Sequence, residues 1–522
     1  MMPVVLNGKE VCNRIALPDD PTMEEALLGV GLSPEVASEF AKVRLPFSLR
    51  PHQYTSLQAM LAWDRMGCWD MARTGKTICM QLAAIYFGHY GMKSIFIMPP
   101  VLFDQFAESF STISNHGMHV QVLNGTAATR TRILKEIADG HSSANILAMT
   151  KEVFKIELLD LMSAGFQVLF FDECHMGLQT AKTKTQKGLR TTYSSVRYFV
   201  DHSEGSRLIL STGTPVFNEL IGTYPIISLK SPQAYQSEDD FNYTHVTYKQ
   251  ILVNTPRGQR YIRTPDSNNY RETALLQRNL HLQAVRARKL DVLDVRVPHI
   301  QEIPVTLYKG HYALYKKVLQ EHLLEVGTKM IDARNASKLR VLALQLITDP
   351  GMAYQPAPQN AVMETVQTLL DTTDTRHNKA VLFANFNLSV EVLAKTFNRL
   401  KPAVVYGPNG PNKNMDEVRK FRTDPECRIL VANPQAGGVG LTLGDVCQTV
   451  IFVEPVSTPG MFDQAASRVI LSGQTEPVSI YFLRVNNTIS KKAIEVMLGR
   501  AQIANEAQKD MKSMLDELLG VM

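Results

Sequence analysis

Two short stretches carry the residue types that phosphate chemistry uses. The first is Gly75-Lys76-Thr77, inside "WDMARTGKTI" at 69–78. In a G-x-x-x-x-G-K-[ST] loop, backbone N–H groups wrap a phosphate at a helix N-terminus. The lysine adds charge at the outer phosphates, and the hydroxyl holds magnesium. Here Asp70 stands where that pattern opens on glycine. The second stretch is "VLFFDECH" at 168–175. Asp172 ends an apolar run, where a carboxylate holds Mg2+ through water, and Glu173 beside it polarises an attacking water. The plain alternatives are a Gly-Lys-Thr arising by chance and a pair of acids that cap a helix or line a solvated loop.

These residues need elements to hold them, and the chain supplies a regular series. Short apolar runs end in polar residues at 94–100, 145–150, 168–173 and 208–214, then again at 380–385, 429–434, 450–455 and 479–483. Helical patterns separate them, such as "TICMQLAAIYFGHY" directly after the Gly-Lys. Continuous apolar strands alternating with helices predict parallel sheets covered on both faces, and two series predict two α/β domains. Ligands of such sheets bind at the carboxyl ends of the strands, where the polar residues fall here.

Two regions break the pattern. "VVLNGKEV" near the start predicts a hairpin turning at Asn7-Gly8. Thr22 with Glu25, and Ser33 with Pro34, have the spacing of two helix starts. Residues 229–298 show no strand series and read as mostly helical and polar. Net charge is +5, and between Arg257 and His299 nine Lys or Arg face four acids, which accounts for all of it. Such a stretch is either a solvated helical face or a surface that contacts phosphates, with Arg286, Arg288 and Lys289 as its densest cluster. Trp63 and Trp69 read as packing residues rather than base stackers.

Composition bounds the rest. The 522 residues, 45% hydrophobic and 20% charged, suit two or three folded domains and exclude a disordered chain. The six cysteines are scattered, none at C-x-x-C spacing, which argues against a local zinc site and suits a reducing compartment. The N-terminal residues lack the basic and apolar regions of a signal peptide, and no apolar run reaches the ~20 residues of a membrane span. A cytoplasmic protein without membrane contact is expected.

Taken together, the motifs resemble the Swi/Snf-type ATPases of helicase superfamily two. "DECH" resembles the family's D-E-x-H box. "DMARTGKT" resembles its D-E-M-G-L-G-K-T loop, which opens on Asp; Arg73 departs from it by replacing a glycine. "LRPHQ" (49–53), "LAMTKEVF" (147–154), "STGTP" (211–215), "VLFANFNLSVEVLAKTF" (381–397), "AGGVGLTL" (436–443) and 450–483 resemble further family motifs, so the likeness runs from about residue 48 to about 505. It implies two RecA-like parallel-sheet lobes with ATP and Mg2+ between them. Gln53, Asp70, Thr74, Gly75, Lys76, Thr77 and Gly440 would lie around the nucleotide, with Thr77 and Asp172 on the metal. Lys76, Asp172, Glu173 and Arg468 would be catalytic. Thr150, Thr214, Gly437 and Gly438 would approach DNA. Gln53 is otherwise a helix-start residue, and the glycines otherwise a tight strand-to-helix turn. Relatives carry two arginines in Q-A-x-x-R-x-x-R-x-G-Q; here Arg468 fills the first place and Leu471 the second.

The organisation expected is a small N-terminal module at 1–46, a nucleotide-binding lobe at 47–228, a helical basic insertion at 229–298, a second lobe at 299–498, and a C-terminal helix at 499–522. Duplex or branched DNA is the expected partner, held mostly through its phosphates, with a protein partner expected through residues 1–46. Three functions fit: a duplex translocase that remodels protein–DNA complexes, a strand-separating or branch-migrating helicase, and a nucleotide-gated DNA-binding module. The absence of a chromatin-reading extension suits a bacterial or virus-infected cell.

Overall fold

The computed structural model describes residues 4–6, 9–11 and 48–508, apart from 114–117, 183–189, 256–257, 322, 327–328, 333–335, 353–357, 374–378, 436–442 and 457. At the N-terminus, β1 (Val4–Leu6) pairs antiparallel with β2 (Lys9–Val11), Leu6 opposite Lys9; the expected turn residues Asn7 and Gly8 lie outside the described residues. The two expected helix starts, at Thr22 and Ser33, lie outside the described residues. The chain divides into two compact units, one taking the residues up to Val292 and the other Leu293–Ala501.

The first unit alternates helices with β3 (Arg65–Cys68), β4 (Lys93–Ile97), β5 (Val120–Val122), β6 (Ile146–Met149), β7 (Phe166–Phe171) and β8 (Arg207–Ser211). A long hairpin follows, β9 (Val246–Thr255) with β10 (Gly258–Tyr270), and then the two-residue β11 (Ala284–Val285). Seven strands form one parallel sheet in the order β11-β3-β8-β7-β4-β6-β5. Neighbouring residues of a strand point to opposite faces, and both faces are packed. Ile95, Ile97, Leu169 and Phe171 join one core, while Phe96, Val168 and Phe170 join the other. Phe96 stacks on Phe170 across the sheet at 4.5 Å between centroids. Double-sided burial is why these strands read as unbroken apolar runs.

The second unit repeats the plan with β12 (His299–Val305), β15 (Lys379–Phe383), β16 (Ala403–Val405), β17 (Ile429–Ala432), β18 (Cys447–Phe452) and β19 (Ser479–Val485); β13 (Leu323–Val326) and β14 (Lys329–Asp332) form a separate hairpin. The six-stranded sheet runs β12-β19-β18-β15-β17-β16, all parallel. Phe383, Phe452 and Phe482 stack across three adjacent strands at 5.2 and 5.0 Å, and Phe462 from the helix Pro459–Ser467 closes on Phe452 and Phe482. At the end of β18 the buried Glu454 accepts from Thr348 Oγ1, Ser389 Oγ, and the amides of Asn385 and Phe386. It thereby ties the helix Asn387–Thr396 to the sheet edge. Burial pushes this carboxyl's pKa up, and its four donors pull the other way.

The segment 229–298 differs from expectation. Among its described residues it contains the α-helices Glu238–His245 and Thr273–His281 and the single turn Lys289–Val292, but its largest element is the β9–β10 hairpin. A hairpin with open faces has no continuous apolar run to betray it. The segment also does not stand apart from the first lobe, because β11 is that lobe's edge strand. At the C-terminus, a helix spans Ile489–Gln508, starting before residue 499.

The aromatic stack makes a testable claim. Phe452→Ala removes the ring that joins two strands to the helix carrying Arg468, and should destabilise the protein by roughly 3–5 kcal/mol. A denaturation midpoint unchanged from the parent would show that the stack does not anchor that helix.

Candidate active site

The carboxyl ends of β3, β8 and β7, adjacent in the sheet, converge on one site. The phosphate loop follows β3. Gly75 adopts φ +94° and caps the helix Lys76–His89, a left-handed conformation suited to glycine. A Cβ there would also strike Gln53 Nε2. Lys76 is buried, its ammonium held within the loop by the carbonyls of Asp70 (2.7 Å) and Met71 (3.1 Å). Thr74 Oγ1 donates to Met71 O, tightening the turn. Arg73 has φ +69°, at the place where related loops carry glycine. A non-glycine residue held there stores on the order of 1–3 kcal/mol of strain.

Asp70 opens the loop as expected, but its carboxylate faces inward and is only 2% exposed. Oδ2 accepts from Ser56 Oγ at 2.6 Å, and Oδ1 from the Ala287 amide at 2.6 Å. The backbone continues the same contact: Trp69 and Met71 donate to the carbonyls of Val285 and Ala287. Edge pairing therefore runs past β3 into the phosphate loop. Gln53 is likewise engaged at both ends of its amide. Its Oε1 accepts from the Arg50 amide, and its Nε2 donates to Thr74 O, where His52 Nε2 also donates. In this arrangement Gln53 is a strut between the start of the helix Pro51–Ala62 and the loop, which is its helix-start reading with a second task added.

Asp172 follows β7, its Oδ1 accepting from Ser211 Oγ (2.9 Å) and the Glu173 amide (3.0 Å). Burial, then the neighbouring Glu173 charge, raises its pKa to about 6, against the pull of Lys76. Glu173 sits at φ +47°, a strained backbone that sets where its side chain leaves the chain. Its Oε2 lies 3.4 Å from His175 Nδ1. That contact is not an ion pair, because burial lowers the His175 pKa to about 3 and the imidazole is neutral. His175 stacks on Phe217 and shares a 2.7 Å hydrogen bond with Thr212 Oγ1, which also accepts the Thr214 amide. Gly213, between those threonines, lies directly against the Met71–Ala72 backbone, and a Cβ would come within 2.9 Å of Ala72 N. The loops after β3, β7 and β8 are thus in direct physical contact.

The remaining expected residues divide. Thr150 caps the helix Lys151–Ser163 through its hydroxyl, at the end of β6. Thr214 is buried, as is Lys289, which is 6% exposed. Arg288 pairs with Asp291 at 2.6 Å. Lys289 is therefore corrected as a phosphate-contacting residue: it lies against the phosphate loop's outer wall, its amide reaching Met71 Sδ, while Arg286 and Arg288 remain partly exposed. Gly437, Gly438 and Gly440 lie outside the described residues. Arg468 is in the second unit, at the end of the helix Pro459–Ser467, and its carbonyl accepts the Leu443 amide. Leu471 packs on Gly444, so the place of the second arginine is filled by an apolar contact.

Sequence reasoning passed over Ser56, His52, Ser211 and Ala287. His52, inside "LRPHQ", and Ser211, inside "STGTP", carried a local signal; Ser56 and Ala287 act through partners distant in sequence.

A sheet with a phosphate loop on one strand and an acidic pair two strands away defines a helicase-like nucleotide-binding ATPase core. The SNF2-related domain pattern matches residues 47–349, more than half the chain, and the helicase conserved C-terminal domain matches 361–473. The chain belongs to the SNF2-related family. Relatives include an uncharacterized ATP-dependent helicase of Mycoplasma genitalium, 21% identical over 85% of this chain and 40% of that protein. The chromatin remodeling factor mit1 of Schizosaccharomyces pombe is 20% identical over 85% and 31%. A SWI/SNF-related regulator of chromatin from Xenopus tropicalis is 24% identical over 63% and 32%. The chain spans less than half the length of these relatives. The Sulfolobus solfataricus SWI2/SNF2 ATPase core in complex with dsDNA aligns with TM-score 0.37 and 18% identity, over 91% of this chain and 97% of that one. Among the described residues no helix is long and apolar enough to cross a membrane.

The raised Asp172 pKa has a consequence for stability. A carboxyl whose folded pKa exceeds its unfolded value destabilises the fold where it must ionise, above about pH 6, and ceases to do so as pH falls below its unfolded range. Asp172→Asn keeps the acceptor for Ser211 and removes the buried charge. It should raise the nucleotide-free unfolding midpoint at pH 7.5, by an amount on the order of 2 kcal/mol, and the gain should shrink at pH 5. A midpoint lowered at both pH values would contradict this.

Proposed function

We propose that this chain is a DNA-stimulated ATPase that moves on duplex DNA and remodels protein–DNA complexes or branched DNA. The observation that carries the reading is the meeting of Lys76, Asp172 and Glu173 at one sheet edge, on loops that touch one another. The relatives' names, helicase and chromatin remodeling factor, support the nucleic-acid setting.

Each residue has a chemical task. The loop amides and Lys76 bind the phosphates. Asp172 has an oxygen, Oδ2, not engaged by a protein donor among the described residues, so with Thr77 it fits a hydrated Mg2+. That ion would neutralise phosphate charge. Glu173, aimed by its strained backbone, orients and polarises the attacking water. His175, Thr212 and Gly213 join the acidic loop to the phosphate loop, so a change in phosphate state shifts both. Arg468 is assigned to offset charge on the transferring phosphoryl group, Gly440 to the nucleotide, and Thr150, Gly437 and Gly438 to the DNA side. Residues 1–46 are assigned to docking or substrate selection. Leu471 keeps the nucleotide-gated binding module in view as a second reading, since it removes one of two charges.

The test is ATP turnover on blunt duplex, single strand, fork and four-way junction, each also scored for unwinding. Glu173→Gln should bind ATP but not turn it over, and Lys76→Ala should bind it weakly. Normal kcat in Glu173→Gln would remove the residue from its role. Arg468→Ala should lower turnover by roughly 10³-fold or more while nucleotide binding persists. Hydrolysis at the parental rate would place the compensating charge elsewhere, and a parent silent on every DNA would favour the binding module.

A further inference from the structure

The β9–β10 hairpin has no role in the site described above. Its root is firmly held. Val246 enters the lobe's core and Tyr270 packs against it. His245 bonds Tyr235 OH at 2.7 Å through Nε2 and the Arg271 carbonyl through Nδ1, while Arg271 donates to the carbonyls of Tyr243 and Val246. Beyond the root, residues 248–252 and 258–261 are exposed on both faces. A lone two-stranded ribbon is marginal in water, and this one displays Ile251 and Leu252 as well. Such an arm is built to be covered.

Register shows what it offers. Tyr248 lies opposite Pro265, Gln250 opposite Arg263, and Leu252 opposite Tyr261, so these share a face. Tyr248 and Tyr261 are 40% and 69% exposed. The Arg263 guanidinium lies 4.1 Å from the Tyr248 ring centre. At the root, Tyr243 is 82% exposed with Arg271 6.0 Å from its ring. Along 246–270 four Lys or Arg meet a single acid, Asp266, which Lys249 already pairs at 2.9 Å. The surplus charge is all arginine, interleaved with open aromatic faces.

We propose that the β9–β10 hairpin is a binding site for unpaired nucleotides, Tyr248 and Tyr261 stacking on bases and Arg263, on the same face, meeting phosphates. Charge selects a polyanion over a protein strand added to the open edges. Stacking selects unpaired bases, because a duplex presents its π-faces only at its ends. The biological setting rests on the motor reading: the arm would direct the ATPase to DNA with single-stranded tails or gaps.

The test measures binding of the full chain to labelled oligo-dT and to a blunt duplex of equal length, together with ATPase stimulated by the blunt duplex. Tyr248→Ala/Tyr261→Ala should weaken oligo-dT binding by about tenfold or more, leaving duplex binding and duplex-stimulated ATPase within about twofold. Tyr248→Phe/Tyr261→Phe keeps the rings and should retain oligo-dT affinity. Equal oligo-dT binding by the parent and the alanine variant overturns the proposal and leaves the arm to a protein partner. Loss in the phenylalanine variant also overturns it, since rings alone should suffice. A parent without ATPase activity refutes the motor reading, while the oligo-dT comparison still decides the hairpin.

Discussion

The buried carboxylate of Asp70 is the point on which the nucleotide site depends. It joins Ser56 on the preceding helix to the Ala287 amide on the edge segment, while its own carbonyl accepts the Lys76 ammonium. A charge so enclosed is tolerable only when its lone pairs are answered, and here each oxygen has a short donor. A glycine opening the loop would keep the carbonyl for Lys76 but offer neither carboxylate bond. The substitution that makes the motif look damaged is therefore what fixes the loop's outer wall.

From that anchor the site is organised by contact between loops. Gly213 lies against the phosphate-loop backbone, and Thr212 holds the neutral His175, which reaches Glu173. Packed surfaces transmit displacement because interiors are dense and poorly compressible. Strain is concentrated in the same place, with Arg73 and Glu173 both at positive φ. Asp172 adds a buried charge that the nucleotide-free protein must carry. Strain and burial of this kind are what a site holds in reserve for a ligand that relieves them.

Much of the fold was legible because both sheets are buried on two faces, so their strands announce themselves as apolar runs. Gly75, Lys76, Asp172 and Glu173 were legible because local chemistry defines them. What stayed hidden lacks a local signature. The two residues of β11 are too few to show a period. The β9–β10 hairpin has no covered face, so its alternation carries no contrast between inside and outside. Lys289 reads as surface charge because sequence shows charge density and not burial. Gln53 was legible as a helix-start residue, but its second bond, to the Thr74 carbonyl 21 residues away, was not.

The edge strand also sets an order of events during synthesis. Asp70 and Ala287 are 217 residues apart. As the chain leaves the ribosome, β3 emerges early and exposes an unpaired edge beside an unfinished phosphate loop. That edge stays open until residues 283–287 arrive, after the whole β9–β10 hairpin has been made. Open strand edges recruit other strands, so nascent chains stalled before Ala287 would be poor nucleotide binders and prone to associate through β3. Nucleotide competence in this lobe is therefore acquired only once Ala287 of the 522 residues has been made, a little past the middle of the chain.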